Sequence, residues 1–296
     1  MAGQLIECVP NFSEGHDAET VRAIELAIAS SPGVLLLRAE MDADHNRSVI
    51  TFAGDPYAVA EGALRGIAKA GERIDLRKHN GVHPRIGAAD VVPFVPLEGA
   101  TLVDCVEIAH RTGQAVWERL GVPVYFYEAA AKSPDRAALE NCRRGGFESP
   151  KLTPDLGGPE LHPTAGACVI GARKLLIAFN VNLQTADVGI ARAIARKIRA
   201  SSGGLAFVKA MGVSLASRSL AQVSMNLTNF EQTGLDQAYQ AVRAEAQSVG
   251  VSIAGIEIVG LVPKKAIEMA AERDPWWKSF DPGLILENRI IQARGR

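Results

Sequence analysis

The side chains best suited to chemistry lie together in one stretch, His79-Asn80-Gly81-Val82-His83-Pro84-Arg85-Ile86-Gly87-Ala88-Ala89-Asp90. It holds two imidazoles, a guanidinium and a carboxylate, with two glycines and a proline between them. Glycine and proline break helices and hold unusual backbone angles, so the stretch reads as a shaped loop. His83 sits between Gly81 and Pro84. An imidazole there can act as a general acid and base near neutral pH, or can pin the loop by hydrogen bonds. Arg85 can grip a carboxylate with its forked donors, or be an ordinary surface charge. A second cluster is Asp42, Asp44, His45 and Arg47. A carboxylate there would hold the tautomer of His83 or stabilise a cationic intermediate; the alternative is a solvated link between strands. Asn11, in the loop after the first strand, can donate to a carbonyl or carboxylate, or simply form a turn.

Metal and phosphate chemistry find less support. His79 and His83 are spaced like two ligands on a helix, but Gly81 and Pro84 oppose a helix and the HExxH glutamate is missing. Together with Asp42 and Asp44 they define an alternative site, that of a metal-dependent amidohydrolase. The run Gly166 to Gly171 has phosphate-loop spacing, then fails, because Ala172-Arg173 stands where Lys-Ser/Thr is needed. Cys8, Cys105, Cys142 and Cys168 are far apart and form no CxxC pair, so they read as buried apolar residues in a reducing compartment.

Elements to position these residues follow from periodicity and end signals. Strands are expected at Leu5 to Pro10, Val34 to Leu37, Ser48 to Phe52 and Val91 to Val95. Helices are expected at Ala18 to Ser31, capped by Asp17, and from Asp55-Pro56 to about Ala70. That order is β-α-β-β-α-β, the split β-α-β unit. Thr101 and Asp104 form a capping box for a helix to Leu120, Val122 to Tyr127 adds a strand, and Ser133-Pro134 starts a helix reaching about Arg144. Four prolines and a Gly157-Gly158 pair make 145–166 a linker.

Beyond the linker the order recurs. Ala167 to Leu183 reads as one bent strand or a hairpin, and Asp187 to Ala200 as a helix. Ala206 to Leu215 and Leu220 to Leu227 read as strands. A second capping box, Thr233 and Asp236, precedes a helix to Ser248; a strand at Val251 to Val259 and a helix at Pro263 to Arg273 complete the half. The tail with Trp276 and Trp277 packs on the body or on a partner. The fold class is therefore α+β, with two ferredoxin-like subdomains at 1–160 and 161–296 and a ligand cleft between them. Pro163 to Ala172 would line the wall opposite the polar loops.

The chain has 296 residues, 47 % hydrophobic and 22 % charged, with a net charge of −1. This is the composition of an ordinary soluble protein, and nothing in the overall charge favours nucleic acid or an anionic membrane. Met1 to Pro10 has no basic leader, and the apolar run Ala165 to Leu183 is interrupted by Arg173, Lys174 and Asn180, so neither a signal peptide nor a membrane span is expected. A cytoplasmic location follows.

Four co-linear motifs carry a resemblance. They are Cys8-Val9-Pro10-Asn11-Phe12-Ser13-Glu14-Gly15; Asn46-Arg47; His83-Pro84-Arg85-x-Gly87-Ala88-x-Asp90-Val91-x-Pro93-Phe94-x-Pro96; and Gly171-Ala172-Arg173-Lys174-x-Leu176-Ile177-Ala178-Phe179-Asn180. Together they resemble the glutamate formimidoyltransferase family, over nearly the whole chain. The resemblance implies two ferredoxin-like subdomains, a cytoplasmic homodimer, and transfer of a formimidoyl group from N-formimidoyl-L-glutamate to N5 of tetrahydrofolate in histidine degradation. Tetrahydrofolate is then a co-substrate, and no metal or redox cofactor is required. The family's catalytic histidine corresponds to His83, and its folate-binding segment to Pro163, Thr164, Ala165, Gly166, Ala167, Cys168, Val169, Ile170, Gly171 and Ala172. Animal members carry Ser-Trp-Gly where this chain has Thr164-Ala165-Gly166, so an aromatic wall is missing or supplied elsewhere. They also carry a cyclodeaminase domain for which this chain is too short, so a separate cyclodeaminase is expected.

The implied chemistry suits the residues. An amine attacks an amidinium carbon, and one histidine can move the proton from the attacking to the departing nitrogen. Asp42 or Asp44 suits the positive intermediate. Asn11, Arg47 and Arg85 suit the carboxylates of the two substrates. Beside this transferase stand formyl transfer from 5-formyltetrahydrofolate to glutamate, the amidohydrolase above, and a non-catalytic folate-binding protein.

Overall fold

A computed structural model describes residues 3–81 and 84–295. The chain forms two compact units, Met1–Lys174 and Leu175–Arg296.

The first unit begins with strands β1 (Ile6–Cys8) and β2 (Asn11–Phe12), helix α1 (Ala18–Ala29), strands β3 (Leu35–Asp42) and β4 (Arg47–Gly54), helix α2 (Pro56–Arg73) and strand β5 (Ala89–Pro96). Helix α3 (Leu102–Leu120), strand β6 (Val124–Glu128), the single turn α4 (Leu139–Cys142) and strand β7 (Cys168–Ala172) complete it. β1 and β2 both lie between β4 and β5, pairing antiparallel with each, so they act as one interrupted strand. β3 flanks β4, and the expected β-α-β-β-α-β unit is present with its antiparallel sheet. The sheet is then extended: β7 pairs parallel with β5 on one side and with β6 on the other.

Sequence-encoded ends fix the helices. Asp17 accepts from Glu19 N–H, and Asp55 accepts from Tyr57 and Ala58 N–H with Pro56 as the first helical residue. Thr101 and Asp104 form the expected capping box, a device worth about 1 kcal/mol. Ile24 and Ile28 of α1, Val59 and Ile67 of α2 and Cys105 and Ile108 of α3 meet Phe12, Ile50, Phe52, Val92 and Phe94 of the sheet in one core.

Three expectations in this region are corrected. The helix expected from Ser133 to about Arg144 is a 3-10 turn, Pro134–Arg136, followed by α4. Only Cys142 of these two turns is buried, so no apolar face sustains a longer helix. The run 167–183 is not one bent strand or a hairpin; its two strands belong to different sheets. The division at 160/161 moves to 174/175 because β7 sits inside the first sheet.

The second unit contains β8 (Ile177–Leu183), α5 (Val188–Ile198), β9 (Val208–Leu215), β10 (Leu220–Leu227), α6 (Leu235–Ser248), β11 (Ile253–Val259), α7 (Lys264–Arg273) and α8 (Leu286–Arg294). Its four antiparallel strands run β11-β8-β10-β9, the order of the split β-α-β unit again. The cap of α6 falls one residue later than expected. Gly234 is the N-cap, Gln237 accepts its N–H, and Thr233 instead donates to Ala206 O at 2.6 Å. Trp277 is buried in this unit's core against Phe179 and Phe280, so the tail packs on the body, while Trp276 stays exposed. No described helix is long and apolar enough to cross a membrane. All four cysteines are free and buried, and burial pushes Cys105 up to about 12 and Cys142 up to about 11, so they pack as apolar residues.

Candidate active site

The site is assembled where three connections of the first unit meet. One follows β2, one is the turn between β3 and β4, and one is the long loop between α2 and β5. Asn46 joins them. It adopts the left-handed region at φ 46°, which asparagine tolerates better than most residues. Its Oδ1 accepts from Gly15 N–H at 2.9 Å, its Nδ2 donates to Asn80 O at 2.7 Å, and its carbonyl accepts from His79 Nε2 at 2.9 Å. The approach is close: a Cβ on Gly15 would lie 2.2 Å from Asp42 O, and one on Gly81 would lie 2.6 Å from His45 O.

Asn11, Phe12, Ser13, Asn46, Arg47, His79, Arg85 and Asp90 line one narrow pocket here. Three residues singled out from the sequence as carboxylate or carbonyl binders, Asn11, Arg47 and Arg85, are thus brought together. Arg47 Nη1 donates to Asn11 Oδ1 at 3.4 Å. Burial, with the nearby Arg143 guanidinium, pulls Arg47 down to about 10 against the opposing pull of Asp42, Asp90 and Glu40. It remains a cation at neutral pH, largely out of water, where a charge acts most strongly.

Arg85 is held from two sides. Its Nε donates to His79 Nδ1 at 2.7 Å and its terminal nitrogens reach both oxygens of Glu148. Because Nδ1 of His79 accepts, its proton lies on Nε2, which donates to Asn46 O. Both ring nitrogens are therefore occupied, and His79 pins the loop. A metal at Asp42, Asp44, His79 and His83 would have to strip these partners away.

Asp42 does not stand alone. Its Oδ2 pairs with His45 Nδ1 at 2.7 Å and its Oδ1 accepts from His45 N–H at 2.9 Å. Burial raises the Asp42 carboxyl, but these bonds, with the charges of His45 and Arg47, hold it at about 2. An ionised aspartate on Nδ1 fixes which nitrogen of the buried His45 carries the proton. Asp44 is half-buried in the same turn. His83 lies outside the described residues.

Asp90 anchors the far end of the long loop. Its carboxylate accepts from Ile86 N–H at 2.7 Å and pairs with Arg143 Nη2. Ser13 Oγ donates to Gly87 O at 2.7 Å, tying the loop to the connection after β2. The segment 163–172 meets the loop within the first unit: Ala88 N–H donates to Ala165 O and Ala167 N–H to Ile86 O. Gly166, at φ +69°, and Gly87 permit this approach, since a Cβ on Gly87 would lie 2.0 Å from Ala167 O. Ala165, Gly166, Ala167, Cys168, Val169, Ile170, Gly171 and Ala172 are buried, whereas Pro163 is exposed and Thr164 half-buried. The buried stretch is strand β7, held between β5 and β6, with its lead-in, so the loop rests on it.

Sequence reasoning left His45, Asn46, Ser13, Arg143 and Glu148 without a role. The spacing Asp42-x-x-His45 in a turn was a usable signal for the first. Glu148 sits in the irregular linker and offered none.

The profile of the formiminotransferase domain, N-terminal subdomain, matches residues 5–173, and that of the formiminotransferase domain matches residues 178–279. This chain belongs to the formiminotransferase family. It is 46 % identical over 298 residues to a glutamate formimidoyltransferase of Thermoplasma acidophilum, covering 98 % of each chain. It is 43 % identical to one of Streptococcus pyogenes, covering 97 % of this chain and 99 % of the relative. A formimidoyltransferase-cyclodeaminase of Rattus norvegicus is 44 % identical over 90 % of this chain, which spans 52 % of that longer protein. The join between the two formiminotransferase profiles falls at the boundary between the two compact units.

Proposed function

We propose that this member of the formiminotransferase family transfers the formimidoyl group from N-formimidoyl-L-glutamate to N5 of tetrahydrofolate. The observation that carries the reading is the full-length similarity to glutamate formimidoyltransferases. The gathering of Asn11, Arg47 and Arg85 in one pocket supports it, because both substrates carry carboxylates.

N5 of tetrahydrofolate attacks the amidinium carbon of the donor. The tetrahedral intermediate then breaks its bond to the glutamate nitrogen, so L-glutamate leaves and the formimidoyl carbon stays on N5. His83 takes the proton released by N5 and returns it to the departing nitrogen. Asp42, ionised and fixed on His45, offsets the positive charge of the intermediate. Asp44 lies in the same turn as a second carboxylate. Arg47, Arg85 and Asn11 hold the donor's carboxylates. Thr164 and Pro163 offer the folate its exposed contacts, and the buried residues behind them keep the loop in place. The same reading takes the protein as a cytoplasmic homodimer working beside a separate cyclodeaminase. The stand-alone relatives are in keeping with the separate cyclodeaminase, and the four free thiols with a reducing compartment.

The test is a transfer assay without added metal, in which acidified product is followed as methenyltetrahydrofolate. Wild type gives product, and His83→Ala loses about 10²–10⁴-fold in rate. Absence of product from wild type overturns the transferase reading. Product undiminished by the substitution removes His83 from the mechanism.

A further inference from the structure

The carboxylate-binding fork of Arg85 is already filled. Its Nη2 donates to Glu148 Oε1 at 2.6 Å and its Nη1 to Glu148 Oε2 at 3.2 Å. Two nitrogens on two oxygens is the way a guanidinium takes a free carboxylate. Glu148 thus occupies the place that a ligand carboxylate would take.

The two partners are held very unequally. The Arg85 side chain is 13 % exposed and is anchored from behind, through Nε, by His79, itself fixed on Asn46. The Glu148 side chain is 62 % exposed, and Arg85 is the side-chain partner of both its oxygens. It stands on a loop whose preceding glycines, Gly145 and Gly146, both have positive φ. Phe147 N–H donates to Arg85 O at 3.2 Å, so the backbone keeps Glu148 within reach even when its carboxylate is released. The Arg85 hydrogen bonds hold the Glu148 carboxyl below its usual range, so it is the anion that sits there at neutral pH.

We propose that Glu148 is an internal stand-in for a substrate carboxylate and that it sets the affinity and selectivity of the Arg85 subsite. The proposal rests on the transferase reading for the identity of the ligand, a glutamyl dicarboxylate. Binding is an exchange: the incoming carboxylate takes both nitrogens of Arg85, and Glu148 swings into water, where a carboxylate is well solvated. The apparent affinity is the intrinsic one reduced by the fraction of Arg85 that Glu148 leaves open. An amide or a hydroxyl cannot refill both donors of the cation, so it loses the exchange that a carboxylate wins. The tether through Phe147 restores Glu148 as glutamate departs, which favours release of that product.

Titration calorimetry with L-glutamate on the full chain tests this directly. Wild type binds weakly, and Glu148→Gln and Glu148→Ala both bind about five-fold more tightly, the scale of one exposed ion pair. The KM for N-formimidoyl-L-glutamate falls in parallel in the transfer assay. Glu148 is exposed, so both variants keep the wild-type melting temperature to within about a degree or two. Weaker or unchanged glutamate binding in both variants overturns the proposal and leaves Glu148 as a group that orients Arg85. No glutamate binding by any of the three proteins overturns it as well. The titration does not depend on turnover, so a wild type that binds glutamate without transferring formimidoyl refutes the transferase reading and spares the exchange.

Discussion

The two units share one scaffold and differ in what hangs from it. In each, a turn joins the second and third strands of the β-α-β-β-α-β order and ends on a residue in the left-handed region. In the first unit that residue is Asn46, at φ 46°; in the second it is Ser219, at φ 53°. The backbone solves the same problem twice. In the first unit the turn carries Asp42, His45 and Asn46 and is bonded to two other loops. In the second it reads Ala216-Ser217-Arg218-Ser219 and offers no imidazole. The link into the last strand differs more. Residues 74–88 connect α2 to β5, while residues 249–252 connect α6 to β11. The first is long enough to carry His79, His83 and Arg85, and the second only turns the chain. A repeated scaffold therefore does not repeat a site; site chemistry is set in the connections.

Paired substitutions sharpen or break that contrast. The largest effect is expected at the charge pairs. Asp90 is buried and holds Arg143, so Asp90→Asn leaves that guanidinium uncompensated and costs about 3–5 kcal/mol in urea unfolding. Glu245→Gln, at the more exposed Lys197–Glu245 pair of the second unit, costs less than about 1 kcal/mol. Equal losses would show that the first unit's loops are no more tightly bound than an ordinary surface.

Next come two glycines crowded by backbone. A Cβ on Gly87 meets Ala167 O at 2.0 Å, and one on Gly212 meets Arg192 N at 2.3 Å. Both alanine variants lose about 2–3 kcal/mol. Only Gly87→Ala lowers transfer activity in the protein that remains folded; an equal activity loss in Gly212→Ala would break the comparison.

The smallest effect is pH-dependent. Asp42 titrates at about 2 in the fold and near its ordinary 3.8 when unfolded. Its stabilisation is therefore complete above about pH 4 and is lost as pH falls toward 2, about 1 kcal/mol after solvent screening. Unfolding curves of Asp42→Asn should lie below wild type at pH 6 and converge with it near pH 2. A constant gap across that range would remove the His45 pairing as the cause.

Much of the scaffold was legible from local signals. Asp17, Asp55-Pro56 and the Thr101–Asp104 box each mark a helix start through atoms only a few residues apart. The loop 79–90 announced itself by composition. What escaped was long-range. Nothing local says that Cys168–Ala172 will pair parallel between β5 and β6, so the strand was assigned to the wrong half. The pairing of Arg85 with Glu148 spans 63 residues, and Glu148 looks like any glutamate in a linker. The bond of Asp42 to His45, three residues on in the same turn, was a local pairing that the reading of Asp42 as a partner for His83 passed over.

The position of β7 has a consequence for how the chain comes into being. β6 pairs with the sheet through β7, and β7 lies beyond the whole irregular segment that follows β6. During synthesis β5 and β6 emerge early and wait with open edges until Cys168–Ala172 leaves the ribosome. The polar, proline-rich segment before it is thus a delay, and the first unit closes only when its final strand arrives. A fragment cut at 160 would keep both edges bare and invite association through them, whereas one cut at 174 carries its own closure.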